Sequence, residues 1–153
     1  PGEYEVKGIF VTGVQTVANR ARIKGESTTS SVKNTIYVFE YDGLTVCHLG
    51  DLSSIPSQSE VEALGAVSVL LVPVGGGGSL KAEQAAEVIS LIEPSIVIPM
   101  HYKTPRTSLK LDTLKKFLKE MGSGKLQAQE SLKIAKSGLP EETQVVVLNV
   151  KDS

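Results

Sequence analysis

The two histidines and the single cysteine of this chain fall at the ends of two apolar runs. Cys47-His48-Leu49-Gly50-Asp51 closes one apolar run, and His101-Tyr102-Lys103-Thr104-Pro105 closes another. Between them, Val67 to Pro73 leads into Val74 and four consecutive glycines, Gly75 to Gly78. Aspartate and histidine are both metal-ligand types. If the two ends lie side by side, Asp51 and His101 converge on one point. Each also has a plainer reading. Asp51 caps its own turn, with Gly50 permitting the geometry, and His101 is held by a backbone carbonyl. A two-residue period sends one of Cys47 and His48 into the core and the other to the opposite face. The glycine run ahead of a helix suits a phosphate cradle, but it lacks the Gly-Lys-Ser/Thr ending of a P-loop.

The elements around these residues set their positions. Tyr4 to Val14 is rich in β-branched and aromatic residues and reads as a strand. Residues Val17 to Lys33, with Ser27 to Ser31 and Arg20, Arg22 and Lys24, lack an apolar period. They read as a long polar loop, the segment 18–33. Asn34 to Tyr41, the Asp42-Gly43 turn and Leu44 to Leu49 read as a hairpin. Ser57 and Glu60 form a capping box for a short helix ending at Gly65. Val67 to Pro73 reads as a strand buried on both faces. Ser79 then caps a helix with Ala82, Ala85, Ala86, Ile89 and Ile92 at a 3.6 period, stopped by Pro94. Ile96 to Met100 is a second buried strand. Leu111, Leu114, Phe117, Leu118 and Met121 mark a third helix, and Thr143 to Val150 is the last strand. A β-meander followed by alternating helices and strands makes one α/β layered domain over residues 1–153.

The order and the motifs together resemble the C-terminal half of the metallo-β-lactamase superfamily, in the branch of zinc-dependent hydrolases similar to ascorbate-6-phosphate lactonases. The resemblance rests on Cys-His-Leu-Gly-Asp, Pro-Val-Gly-Gly and Ile-Val-Ile-Pro-Met-His-Tyr-Lys-Thr-Pro. The opening Pro1 to Val6 and the stretch Leu139 to Thr143 share it. It implies a partial metallo-β-lactamase-like fold and a metal-dependent hydrolase that acts on a small molecule through zinc or another divalent metal. It implies Asp51 and His101 as metal ligands, His48 as support for Asp51, and Gly75, Gly76, Tyr102 and Lys103 as the loops lining the site. The family's H-x-H-x-D-H signature is absent. Where a further histidine is expected, Thr16-Val17-Ala18-Asn19 puts Ala18. Two ligands fall short of the three a catalytic zinc takes, so the isolated chain is expected to be inactive. The alternative is a degenerate member that keeps the fold and serves in binding or assembly.

Composition bounds the rest. The 153 residues are 41% hydrophobic and 22% charged, with a net charge of −1, so no overall basic field draws nucleic acid or an anionic membrane. The basic stretch from Lys103 to Lys125 is the wet side of an amphipathic helix. No apolar run approaches the ~18 residues of a membrane span. Cys47 is the single cysteine, which excludes an internal disulfide and points to the cytoplasm. The abrupt entry into a strand at Pro1 is the form a piece of a longer fold takes. A piece of a layered fold uncovers a sheet edge and apolar surface, so a homo-oligomer is expected.

Overall fold

The structure is a computed structural model and describes residues 1–19 and 31–150. Turn chemistry builds its first half. β1 (Gly2–Val6) and β2 (Ile9–Asn19) meet through Lys7 and Gly8, at φ 52° and 80°, the left-handed pair of a type I′ hairpin turn. The single strand expected over Tyr4 to Val14 is therefore two strands. β2 pairs antiparallel with β3 (Ser31–Tyr41). The loop expected from Val17 to Lys33 is shorter at both ends. Val17, Ala18 and Asn19 pair with Lys33, Val32 and Ser31, because the ladder accepts polar residues once its register is set. The centre of that loop lies outside the described residues. Asp42 and Gly43 turn the chain into β4 (Leu44–His48), as the sequence predicts.

The second half is parallel. β4, β5 (Val69–Pro73), β6 (Ile96–Met100) and β7 (Gln144–Val145) are neighbours joined by α1 (Gln58–Leu64), α2 (Ala82–Ile92) and α3 (Leu114–Glu120). Strand order in the seven-stranded sheet follows chain order. Each parallel crossover steps in the same direction, and right-handed crossovers then put all three helices on one face. The core lies between that face and the helices. Ile36, Val38, Cys47, Leu70, Val72 and Val97 meet Leu64, Ala85, Val88, Ile89, Phe117 and Leu118 there. On the opposite face, Tyr4 pairs with Val11, Val11 with Phe39, Phe39 with Val46 and Val46 with Val69. Tyr4, Val6, Ile9, Tyr37, Phe39 and Tyr41 stay exposed on it.

The capping box of α1 is present: the Ser57 hydroxyl accepts from the Glu60 N–H, and the Glu60 carboxylate accepts from the Ser57 N–H. Ser79 does not cap α2. That place falls to Lys81, whose N–H donates to Gln84, and the Ser79 hydroxyl is used elsewhere. α3 begins at Leu114 rather than Leu111, because the Asp112 N–H donates to Gly75 and the Asp112 carbonyl accepts from Lys103. The last strand is also shorter than the apolar run from Thr143. Val146 still donates to Val97 of β6, and after it the chain turns to Gln129, which donates to the Val147 carbonyl and accepts from the Asn149 N–H. Among the described residues no helix is long and apolar enough to cross a membrane.

Phe117 is the largest fully buried side chain and joins α3 to the core. Phe117→Ala should destabilise the fold by about 3–5 kcal/mol, read as a lower urea midpoint with an unchanged slope.

Candidate metal centre

β4, β5 and β6 run parallel, with His48 opposite Leu71 and Pro73 opposite Met100. The segments that follow them leave the same end of the sheet. Asp51 follows the first, Gly75 to Gly78 the second and His101 the third. This is the end where side chains for binding collect in open α/β sheets. β4 and β6 are two strand spacings apart, about 10 Å, and the β5 loop lies between them.

The glycines make that closeness possible. Gly75 lies directly against His101, and a Cβ there would collide with the His101 carbonyl oxygen. Val74 donates to Met100, and Gly75 accepts from Asp112. His101 itself sits at φ 53°, a left-handed conformation that costs a non-glycine residue of order 1–3 kcal/mol and collects at functional sites. Its imidazole is exposed and has no hydrogen-bond partner among the described residues. The phosphate cradle loses ground here. The Gly76 N–H is taken by Leu80 and the Ser79 N–H by Gly76, so these donors close the loop on itself.

Asp51 is exposed but tightly held. The Ser79 hydroxyl donates to its Oδ1, and its N–H donates to Asn34 Oδ1 at 3.0 Å. Its Oδ2 takes no hydrogen bond among the described residues. The Asn34 amide donates to the Leu49 carbonyl at 2.9 Å and to Thr16 Oγ1 at 3.3 Å. His48 Nδ1 accepts from the Gly50 N–H at 3.0 Å, so His48 braces the turn and does not touch the Asp51 carboxylate. Cys47 is buried on the helix side, and burial pushes its thiol up to about 12. Tyr102 is half-buried against the core, and burial raises its phenol. The Lys103 ammonium donates to the Thr107 and Leu109 carbonyls, closing its own loop. Lys116, in the basic stretch, pairs with Asp112 at 3.0 Å and Glu83 at 3.5 Å.

Asn34, Thr16 and Ser79 are functional neighbours of Asp51 that the sequence reading does not find. Asn34 had a signal. Along β3 it falls on the side of Ile36 and Val38, both buried, where an apolar residue is expected. A polar side chain there asks for a partner.

A carboxylate and an imidazole fit a divalent cation by donor type. Their number does not complete a site. Among the described residues no group of three or more His, Cys, Asp or Glu comes together. Ala18 lies in β2, paired with Val32.

A mixed sheet with helices on one side and Asp and His at the ends of parallel strands describes a half of the layered α/β metallohydrolases. The chain belongs to that superfamily: residues 1–101 match the beta-lactamase superfamily domain. A UPF0173 metal-dependent hydrolase of Pyrococcus abyssi is 31% identical over 104 residues, 67% of this chain and 44% of that protein. A UPF0173 protein of Pyrococcus furiosus is 44% identical over 59 residues, 39% of this chain and 27% of that protein. The matched region is thus under half the length of these curated relatives. A solved Thermotoga maritima structure, a candidate Zn-dependent hydrolase of the metallo-β-lactamase superfamily, aligns over 99% of this chain and 70% of its own. Its identity is 35% and its TM-score 0.76.

Gly75 has no positive φ, so a methyl group there costs through collision alone. Gly75→Ala should destabilise by about 1–3 kcal/mol, read in urea, and should shift the NMR signals of His101 and Tyr102. The Cys47 thiol stays protonated in the folded chain while an unfolded one ionises near pH 8.5. Alkylation at pH 8.5 should follow global unfolding, and stability should fall as pH rises above that value. Rapid alkylation of the native chain counts against the buried placement.

Proposed function

We propose that the chain supplies Asp51 and His101 to the divalent-metal site of a metal-dependent hydrolase, with zinc as the ion. The observation that carries this reading is one juxtaposition. Asp51, with one carboxylate oxygen unbonded among the described residues, and His101, whose imidazole has no partner among them, stand past the ends of β4 and β6, on either side of a glycine loop built for close approach. The relatives named as metal-dependent hydrolases support it. Asp51 and His101 would be among the residues that hold the metal, which would supply Lewis-acid chemistry for hydrolysis near neutral pH. The chain's own part is to hold. Ser79 fixes one Asp51 oxygen, the left-handed His101 backbone presents the imidazole, and Tyr102 and Lys103 stiffen the segment that follows it. A small molecule held at this end of the sheet would be the substrate. The remaining ligands come from outside the described residues.

Ala18 favours a second reading. If the position carries no ligand in the whole protein, the fold persists without its chemistry. The exposed row of Tyr4, Tyr37, Phe39 and Tyr41 then serves assembly, with a second copy of the chain covering it.

Metal analysis after loading with Zn²⁺ and desalting separates the two. The first reading expects bound zinc in the complete protein, where the other ligands are present, and its loss in both Asp51→Ala and His101→Ala, with folding retained by circular dichroism. A complete protein that keeps no zinc, and that sediments as a single dimer, supports the second reading and overturns the first.

A further inference from the structure

Asp51 presents a difficulty that its role as a ligand leaves open. It is exposed, it lies just past a strand end, and it follows a glycine at φ 64°. Leu49 and Leu52 on either side are buried, but the Gly50-Asp51 turn between them depends on hydrogen bonds to fix its peptides. A metal ligand that swings must be ordered again at each binding event, at a cost in affinity.

Asn34 removes that freedom. Its amide has two donor hydrogens and one acceptor oxygen, and three segments use them. Nδ2 reaches the Leu49 carbonyl at the end of β4 and Thr16 Oγ1 on β2. Oδ1 receives the Asp51 N–H. The three partners fix which way the amide faces, since only its oxygen can accept from Asp51. Thr16 is 5% exposed, so the anchor lies inside the protein. Gly50 admits the arrangement, for a Cβ at that position would collide with Asn34 Oδ1. Serine or alanine at position 34 cannot reach three segments at once.

We infer that Asn34 is the positioning residue of the site. It locks the Gly50-Asp51 turn to β2 and β4, so that Ser79 need only orient the carboxylate. Asn34 acts through Asp51 and is not itself a ligand, since its polar atoms are already engaged. Its use in metal binding rests on the function proposed above, whereas the lock itself does not.

The test uses the whole chain with Co²⁺ as the probe, followed by calorimetry and by the visible absorption of the bound ion. Amide hydrogen exchange at Gly50 and Asp51 is measured without metal. Asn34→Ala should weaken Co²⁺ binding about 10- to 100-fold and alter the visible band, with circular dichroism unchanged. Exchange of the Asp51 N–H should speed up about fivefold or more. Asn34→Asp keeps the acceptor for Asp51 and gives up the donors to Leu49 and Thr16. It should recover part of the affinity and most of the Asp51 protection, and it decides the matter if Asn34→Ala does not fold. Wild-type affinity and exchange in the two variants overturn the inference. If the wild-type chain takes up no Co²⁺, its two ligands do not hold the ion by themselves, and exchange alone decides: unchanged Asp51 protection in the variants overturns the lock, and selective loss at Gly50 and Asp51 sustains it.

Discussion

The parallel pairing of β4, β5 and β6 is the constraint on which the rest depends. Parallel neighbours need a crossover between them, and here each crossover carries a helix in the same direction along the sheet. Handedness then leaves one face for all three helices. Two consequences follow. One face of the sheet acquires a core, with Leu70, Val72 and Val97 beneath α2 and α3. All three connections also begin at the same end, so the residues after each strand meet there.

The price of that convergence is written in backbone conformation. Loops that start at adjacent strand ends crowd one another, and the crowding is relieved by missing side chains at Gly50 and Gly75. His101 has no such relief and adopts a left-handed backbone. Its neighbours hold it there: Gly75 below, the Asp112 bonds to Gly75 and Lys103, and the Lys103 ammonium on its own loop. Without that surrounding structure the residue would relax, which is why strain of this kind points to a use.

The elements that carry strong local signals were legible in the sequence. The Asp42-Gly43 turn, the Ser57 capping box and the buried runs of β5 and β6 stand where turn chemistry and hydrophobicity put them. The misses share a cause. Lys7-Gly8 looks like strand interior until its left-handed pair is seen. Ser79 looks like a cap until a carboxylate from 28 residues earlier claims its hydroxyl. Leu111 looks helical until Gly75 and Lys103 claim the backbone of Asp112 beside it. In each case a partner distant in sequence, or a turn geometry, overrides a local preference. The site divided in the same way. Asp51 and His101 are visible as residue types after strands. Asn34 is visible only as a polar residue out of place in an alternating strand, and its purpose emerges when β2 and β4 are laid beside it.

The two faces of the sheet explain why one chain supports both a hydrolase reading and an assembly reading. Under the helices the face is finished, since Val38, Cys47, Leu70, Val72 and Val97 are buried there and none of the buried side-chain polar atoms among the described residues lacks a partner. The other face carries Tyr37 and Phe39 stacked at 6.3 Å and exposed, in line with Tyr4 and Tyr41. Aromatic rows of this kind gain most when something covers them. On the function proposed above, Asp51 and His101 use the end of the sheet where β4 and β6 finish, whereas the assembly reading uses its open aromatic face. The two readings therefore draw on different surfaces of one chain.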